Sequence, residues 1–143
     1  MRDIAPEVLS IADACLGGLQ GHSALLIGPE ERRYPYAKLL QKAKMEYIYG
    51  ENTSERLPYL LPHVQLLISL PPLANSTSEE QAAPKLTAAS IAKGCIGRRK
   101  PLLIFDLVPS SSVEELAGLL PPVCLYTPND LRHILAKREM KAS

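Results

Sequence analysis

The sequence contains no tryptophan and a single phenylalanine, and aromatic residues make up only 5% of it. A core of stacked rings is excluded, so the interior must be built from Leu, Ile, Val and Ala, a composition that suits helices packed on a buried sheet. Cysteine is equally sparse: Cys15, Cys95 and Cys124 are odd in number, widely spaced and without a C-x-x-C pair. That pattern argues against a disulfide framework and against a zinc site, and it predicts reduced thiols buried as structural filler. No metal is expected. No stretch approaches the roughly 18 uninterrupted apolar residues of a spanning helix, and the amino terminus has no basic segment followed by a long apolar run. A cytoplasmic location is expected, in which the triplets Asn52-Thr53-Ser54 and Asn75-Ser76-Thr77 carry no glycan. Neither sign of charge is in excess, since the net charge is +1 with 22% charged residues, so bulk electrostatics points to neither nucleic acid nor membrane.

What is present is 143 residues with a hydrophobic fraction of 46%, enough for one domain over residues 1–143. A domain of this size buries roughly two-thirds of the surface its unfolded chain exposes. Residues 1–20 hold an amphipathic entry helix, with Val8, Leu9, Ile11, Ala12, Cys15 and Leu16 near one face and Gly17-Gly18 at its end. Ala24 to Ile27 reads as a strand buried on both faces, and a helix follows from near Glu30, with Pro35 in its first turn. Residues 45–50 form a second, aromatic strand, residues 56–62 a short Pro-interrupted helix, and residues 64–69 a third strand. Residues 70–86, rich in Pro, Ser, Thr and Asn, predict a mobile loop. Thr87 then caps a helix, residues 102–105 form the most hydrophobic strand, and residues 113–120 a short helix. Residues 123–126 make a last strand, and Pro128 to Lys137 a closing helix capped near Asn129. Strands alternating with helices over short connections mean an α/β fold, a parallel sheet covered on both faces.

The informative turn is the one after Ile27. A strand entering a G-x-G-x-x-G turn needs its second glycine for close approach to a pyrophosphate and its third for helix packing on strand. Here Gly28 is followed by Pro29, with Glu30 and Arg33 at the other two glycine positions. Glu30 and Glu31 suit a helix amino terminus, worth roughly 0.3–1 kcal/mol each, while repelling a phosphate from it. Arg32 and Arg33 partly offset that repulsion. Asp106, at the end of a strand where ligands of open α/β sheets bind, reads equally as a ligand contact or as the cap of its own turn. His22, His63 and His133 are far apart, with no nucleophile elbow beside them, and the adjacent acidic pairs read as solvated faces. Arg98-Arg99-Lys100 follows a helix end, where three charges complement the dipole and stay in water. No residue is assigned catalysis.

Two motifs carry a family resemblance. Pro101-Leu102-Leu103-Ile104-Phe105-Asp106-Leu107-Val108-Pro109 and Leu125-Tyr126-Thr127-Pro128-Asn129-Asp130-Leu131 resemble segments of the central NAD(P)-binding domain of glutamyl-tRNA reductase. Weaker likenesses keep the same order: Gly18-Leu19-Gln20-Gly21-His22, the strand ending at Gly28, and the loop Glu51-Asn52-Thr53-Ser54-Glu55-Arg56. The resemblance implies a Rossmann-like doubly wound sheet, NADP(H) as cofactor, a place in tetrapyrrole biosynthesis, and cofactor contacts at Gly28, Pro29, Glu30, Arg32, Asn52, Thr53, Ser69 and Asp106. It also marks departures. Asn52 stands where the family usually has an arginine for the 2′-phosphate, and Ser69 is followed by Leu70-Pro71-Pro72 in place of small residues that leave backbone close to the cofactor. The resembling enzymes also carry an amino-terminal catalytic domain with a cysteine nucleophile and a helical dimerisation region, without counterparts in these 143 residues. The resemblance therefore implies a nucleotide-binding domain that is not catalytic alone, with a separate catalytic chain, another enzyme of the pathway or a second copy as partner. The rival expectation is a regulatory or interaction domain that has lost dinucleotide binding.

Overall fold

The structure, a computed structural model, describes residues 4–73 and 85–142. In chain order, α1 (Ala5–Leu16), β1 (Ser23–Ile27), α2 (Glu30–Lys42), β2 (Tyr47–Glu51) and α3 (Leu57–Leu60) lead through a 3-10 turn (Leu61–His63) to β3 (Leu66–Ser69). Then come α4 (Ala88–Gly94), β4 (Leu102–Asp106), a 3-10 helix (Glu115–Leu119), β5 (Val123–Tyr126) and α5 (Pro128–Ala142). All five strands are parallel, in the order β2-β1-β3-β4-β5.

The apolar runs explain this layout. Every residue of β1, β3 and β4 is buried, as strands covered on both faces must be, whereas the edge strands β2 and β5 are only partly covered. Alternation along the strands sends Leu26, Ile68 and Phe105 to one side, where α1, α2 and α5 cover them through Val8, Leu9, Leu40 and Leu131. Leu25, Ile27, Leu67 and Ile104 face the other side, under Leu57, Leu61, Ile91 and Ala117. The sheet is thus doubly wound, the Rossmann-like α/β architecture that the sequence predicts.

Several local expectations need correction. Because α2 starts at Glu30, Pro35 lies inside the helix, in its second turn, where it removes the N–H that would bond the Glu31 carbonyl. The second strand begins at Tyr47: Met45 N–H still closes the turn after α2 by donating to Leu40, and Glu46 N–H makes the first bond across to the segment leading into β1, at His22. The closing helix is capped by Thr127, not near Asn129. Thr127 Oγ1 accepts the Asp130 N–H at 3.1 Å while Asp130 returns a carboxylate to the Thr127 N–H at 3.0 Å, a capping box. The cap at Thr87 is as expected, accepting the Ser90 N–H at 3.1 Å. Of the loop expected over residues 70–86, residues 74–84 lie outside the described residues. Its described ends are tied down: Leu70 is buried, and Leu86 bridges to Val113. Among the described residues, no helix is long and apolar enough to cross a membrane.

Candidate functional site

Where the strand order reverses, between β1 and β3, the connections leave in opposite directions, and ligands of such sheets bind outside the carboxyl ends of the strands there. Register aligns those ends in one row across the sheet, Glu51, Ile27, Ser69 and Asp106. Gly28, Pro29, Glu30, Asn52 and Thr53 follow directly on that row in sequence. The fold thus gathers the predicted site residues at one edge, and the contacts there show how each is engaged.

Gly28 meets the chain itself. It has a φ of +144°, in the region that favours glycine, and a Cβ placed on it would lie 2.9 Å from Leu70 Cβ and 3.2 Å from the Leu70 carbonyl oxygen. Leu70, 2% exposed, packs directly against this turn, so Gly28 serves a contact within the chain. Pro29 is the residue before α2 and supplies no side-chain cap. Glu30 and Glu31 are exposed and, with Pro29 and Tyr34, line an open groove of about 480 Å³. Its carboxylates suit hydroxyl or amine donors and oppose phosphate.

Both arginines of α2 turn towards the row. Arg32 donates from Nη2 to the Pro72 carbonyl at 3.3 Å, linking α2 to the segment after β3, while its Nε is buried without a hydrogen-bond partner. Arg33 donates from Nε to the Gly28 carbonyl at 2.9 Å and from Nη2 to Asn52 Oδ1 at 3.1 Å. Its guanidinium lies against Gly50, where a Cβ would collide with Nη1. A positive charge from the helix therefore reaches the loop after β2, beside the neutral Asn52. Thr53 stays exposed and accepts the Glu55 N–H at 3.4 Å, and Glu51 pairs with Arg56 at 3.5 Å.

Asp106 is 1% exposed and takes five donors: Val108 N–H and Ser112 hydroxyl on Oδ1, and Ser111 hydroxyl, Ser112 N–H and Val113 N–H on Oδ2. Of the two readings left open in the sequence, the cap is what these contacts display, since this carboxylate organises residues 107–113. Ser69, also buried, lies 2.7 Å from Ser112 Oγ. Because the Ser112 hydroxyl proton is directed to Asp106, Ser69 is the donor in that pair. Ser69 and Asp106 are thus joined through Ser112 into one buried polar chain, with their hydrogen-bonding capacity turned inward.

The sequence reading missed three participants. Arg33 is legible in the sequence as the occupant of the third glycine position and as an offset to Glu30, but not as the donor that reaches Gly28 and Asn52. Ser112 had a signal in the run Ser110-Ser111-Ser112 shortly after Asp106, three hydroxyls near a strand-end carboxylate. Leu70 had none beyond its being apolar next to two prolines.

Elsewhere, Cys15 and Cys124 are exposed, not buried, because α1 reaches the margin of the sheet and β5 is its edge. Cys95 is partly buried, and burial pushes its thiol up against the opposing effect of Arg98. Arg98 does not stay in water. It donates to the carbonyls of Leu61 at 2.8 Å, of Val64, and of Pro101 at 3.3 Å, fastening the amino-terminal ends of β3 and β4, and burial lowers its pKa. Arg99 and Lys100 remain exposed as expected. Among the described residues, no group of three or more His, Cys, Asp or Glu side chains could hold a metal ion.

No family model matches the chain. Curated relatives do: it is 28% identical over 148 residues to a protein of Methanospirillum hungatei and 30% identical over 145 residues to one of Pseudomonas entomophila, matching 92% and 94% of this chain. Both are named glutamyl-tRNA reductase. The likeness read from the motifs is therefore borne out. The chain spans about a third of the length of these reductases, 35% and 34%. Among solved structures, glutamyl-tRNA reductase from Methanopyrus kandleri superposes with a TM-score of 0.72 at 19% identity, over 94% of this chain and 37% of that one. The TT0316 protein from Thermus thermophilus follows at 0.51 and 16%, over 83% and 43%. At these identities the structural likeness speaks for the fold. The resemblance to glutamyl-tRNA reductase thus rests on sequence over one domain's length and on a shared architecture.

Proposed function

We propose that this chain is a nucleotide-binding domain of the glutamyl-tRNA reductase type serving tetrapyrrole biosynthesis, with NADP(H) as its ligand and the chemistry supplied by a separate catalytic chain. The observation that carries this is Arg33, whose guanidinium lies beside Asn52 at the tip of β2. In the resembling domains an arginine at the Asn52 position meets the 2′-phosphate. Here the charge comes from α2 instead, and only two of the five N–H donors of that guanidinium are spent on Gly28 and Asn52. The two ends of the crevice differ in fit. The end after β2 offers a cation and an amide to a phosphate, whereas the turn after Gly28 carries Glu30 at the close-approach position with Glu31 beside it, so it does not suit a pyrophosphate held in the glycine-turn manner. Binding through the first end and weaker than in an intact fingerprint is the consequence.

Calorimetric titration with NADPH, NADP and NADH tests this. Saturable binding that prefers the 2′-phosphorylated forms is expected. Arg33→Ala should weaken it roughly tenfold to a hundredfold, the size of one charge-assisted hydrogen bond. No heat at millimolar ligand overturns the reading. The second reading, a regulatory or interaction domain, is favoured by one contact, Arg32 on the Pro72 carbonyl, which joins the two sides of the crevice by the chain itself. It predicts a partner captured from the native host, tetrapyrrole enzymes included, whose binding is lost when residues 71–73 are replaced while nucleotide has no effect.

A further inference from the structure

The two exposed cysteines stand on one face of the molecule. Tyr126 stacks on Phe105 with ring centroids 5.0 Å apart and planes within 11°, so its ring is on the side of the sheet covered by α1 and α5. Cys124 precedes it by two residues on β5, and alternation along a strand sends both side chains to that same side. Cys15, in the last turn of α1, places its Sγ 3.3 Å from the Tyr126 hydroxyl. The thiol of Cys15 therefore meets the hydroxyl end of Tyr126 on the face of β5 that also bears Cys124, two residues earlier in the strand. Just beyond Cys15, α1 ends at Gly17 and Gly18, both at positive φ, with the Gly18 N–H closing the helix on the Asp13 carbonyl at 2.9 Å.

We propose that Cys15 and Cys124 are a dithiol pair that a low-molecular-mass disulfide oxidises to an intrachain bridge, fastening the end of α1 to the edge strand β5. The chemistry is thiol–disulfide exchange in two steps. The Cys15 thiolate attacks the oxidant, its S–S bond breaks, and one small thiolate leaves with a proton from solvent. The Cys124 thiolate then attacks Cys15 Sγ in the mixed disulfide and expels the second small thiolate. Two protein thiols are oxidised and one disulfide is reduced to two thiols. Burial, with the nearby Cys15 adding to it, pushes the Cys124 thiol up, so the closing step accelerates with rising pH. Cys95 lies on the opposite face of the sheet and takes no part.

Bridging also removes the hydrogen bond between Cys15 and Tyr126. That bond is the largest of the influences that push the Tyr126 hydroxyl up to about 12, ahead of burial and the neighbouring Cys15, Cys124 and Asp130. The tyrosine thus reports on the thiols.

The experiment treats the whole chain with oxidised glutathione, alkylates the remaining thiols and maps peptides by mass spectrometry. A monomer two hydrogens lighter, with Cys15 and Cys124 in one cross-linked peptide and only Cys95 alkylated, is the expected result. Ultraviolet titration should show one tyrosine ionising at lower pH after oxidation, a change absent in Tyr126→Phe. Cys15→Ser and Cys124→Ser, both at exposed positions, should abolish the bridge, and Cys95→Ser should leave it intact. Separate glutathione adducts on the two cysteines without a cross-link, a bridge through Cys95, bridging only between chains, or no reaction at all would each overturn the proposal.

Discussion

Asp106 shows how one buried charge is made tolerable. An ionised carboxylate removed from water costs several kcal/mol unless its lone pairs are filled, and here two oxygens take five donors, three of them backbone amides from one turn. The sequence made Asp106 visible as a strand-end acid, equally a ligand contact or the cap of its own turn, but not which groups it accepts from, because its donors become neighbours only when residues 107–113 fold back on it. Asp106→Asn keeps the volume while presenting an NH2 group to donors that need an acceptor. It should cost about 2–4 kcal/mol, the range for a buried hydrogen-bonded charge losing its match. Ser112→Ala, which removes a single hydroxyl, should cost about 1 kcal/mol. Urea unfolding followed by circular dichroism measures both, and an Asp106→Asn protein as stable as wild type would show that the carboxylate is held for a ligand and not for the turn.

At the level of elements, what was legible followed from hydrophobic pattern and what was not depended on contacts between distant segments. The apolar runs at residues 24–27, 64–69 and 102–105 announced interior strands, and Thr87 announced a helix start, because burial on both faces and a side-chain cap are written locally. Pro35 misled because a proline is expected in a first turn, while α2 tolerates it one turn later, where only one ladder hydrogen bond is lost. Gly28 has a structural role that its motif does not announce. The sequence marks it as the first glycine of a cofactor turn, and the structure requires it where the exits of β1 and β3 touch. Gly28→Ala would meet both a strained φ and the Cβ and carbonyl of Leu70, groups on a backbone with little room to move. A loss of about 2 kcal/mol or more is expected in thermal or urea unfolding, from backbone strain of roughly 1–3 kcal/mol plus overpacking. An unchanged midpoint would mean that the β1 and β3 exits are further apart than this contact requires.

The whole molecule separates scaffold from site along the strand order. Of the row Glu51, Ile27, Ser69, Asp106, the last three were legible in the sequence as strand ends, while Glu51 reads there as loop and joins the row only through its pairing with Ile27. The state of the crevice was not legible, because it is set by pairs far apart in the chain: Arg32 with Pro72, Arg33 with Asn52, Ser69 with Ser112. The same order dictates where the molecule opens first. β1, β3 and β4 lie in the interior of the sheet with every residue buried and each pairs on two sides, whereas β2 and β5 have one neighbour apiece and exposed positions at Tyr47, Gly50 and Cys124. Opening an edge strand breaks one ladder and exposes little apolar surface, while opening an interior strand takes the core of both faces with it. Native-state hydrogen exchange should therefore find the slowest amides at Leu25, Leu26, Leu67, Ile68, Ile104 and Phe105, exchanging only through global unfolding. Amides of β2 and β5 should exchange through smaller openings with weaker dependence on denaturant. If a Cys15–Cys124 bridge is formed, β5 alone should slow towards the interior rates and β2 should not. Equal protection of β2 and β4 in the reduced protein would contradict this division, since it would make the sheet one cooperative unit from edge to edge.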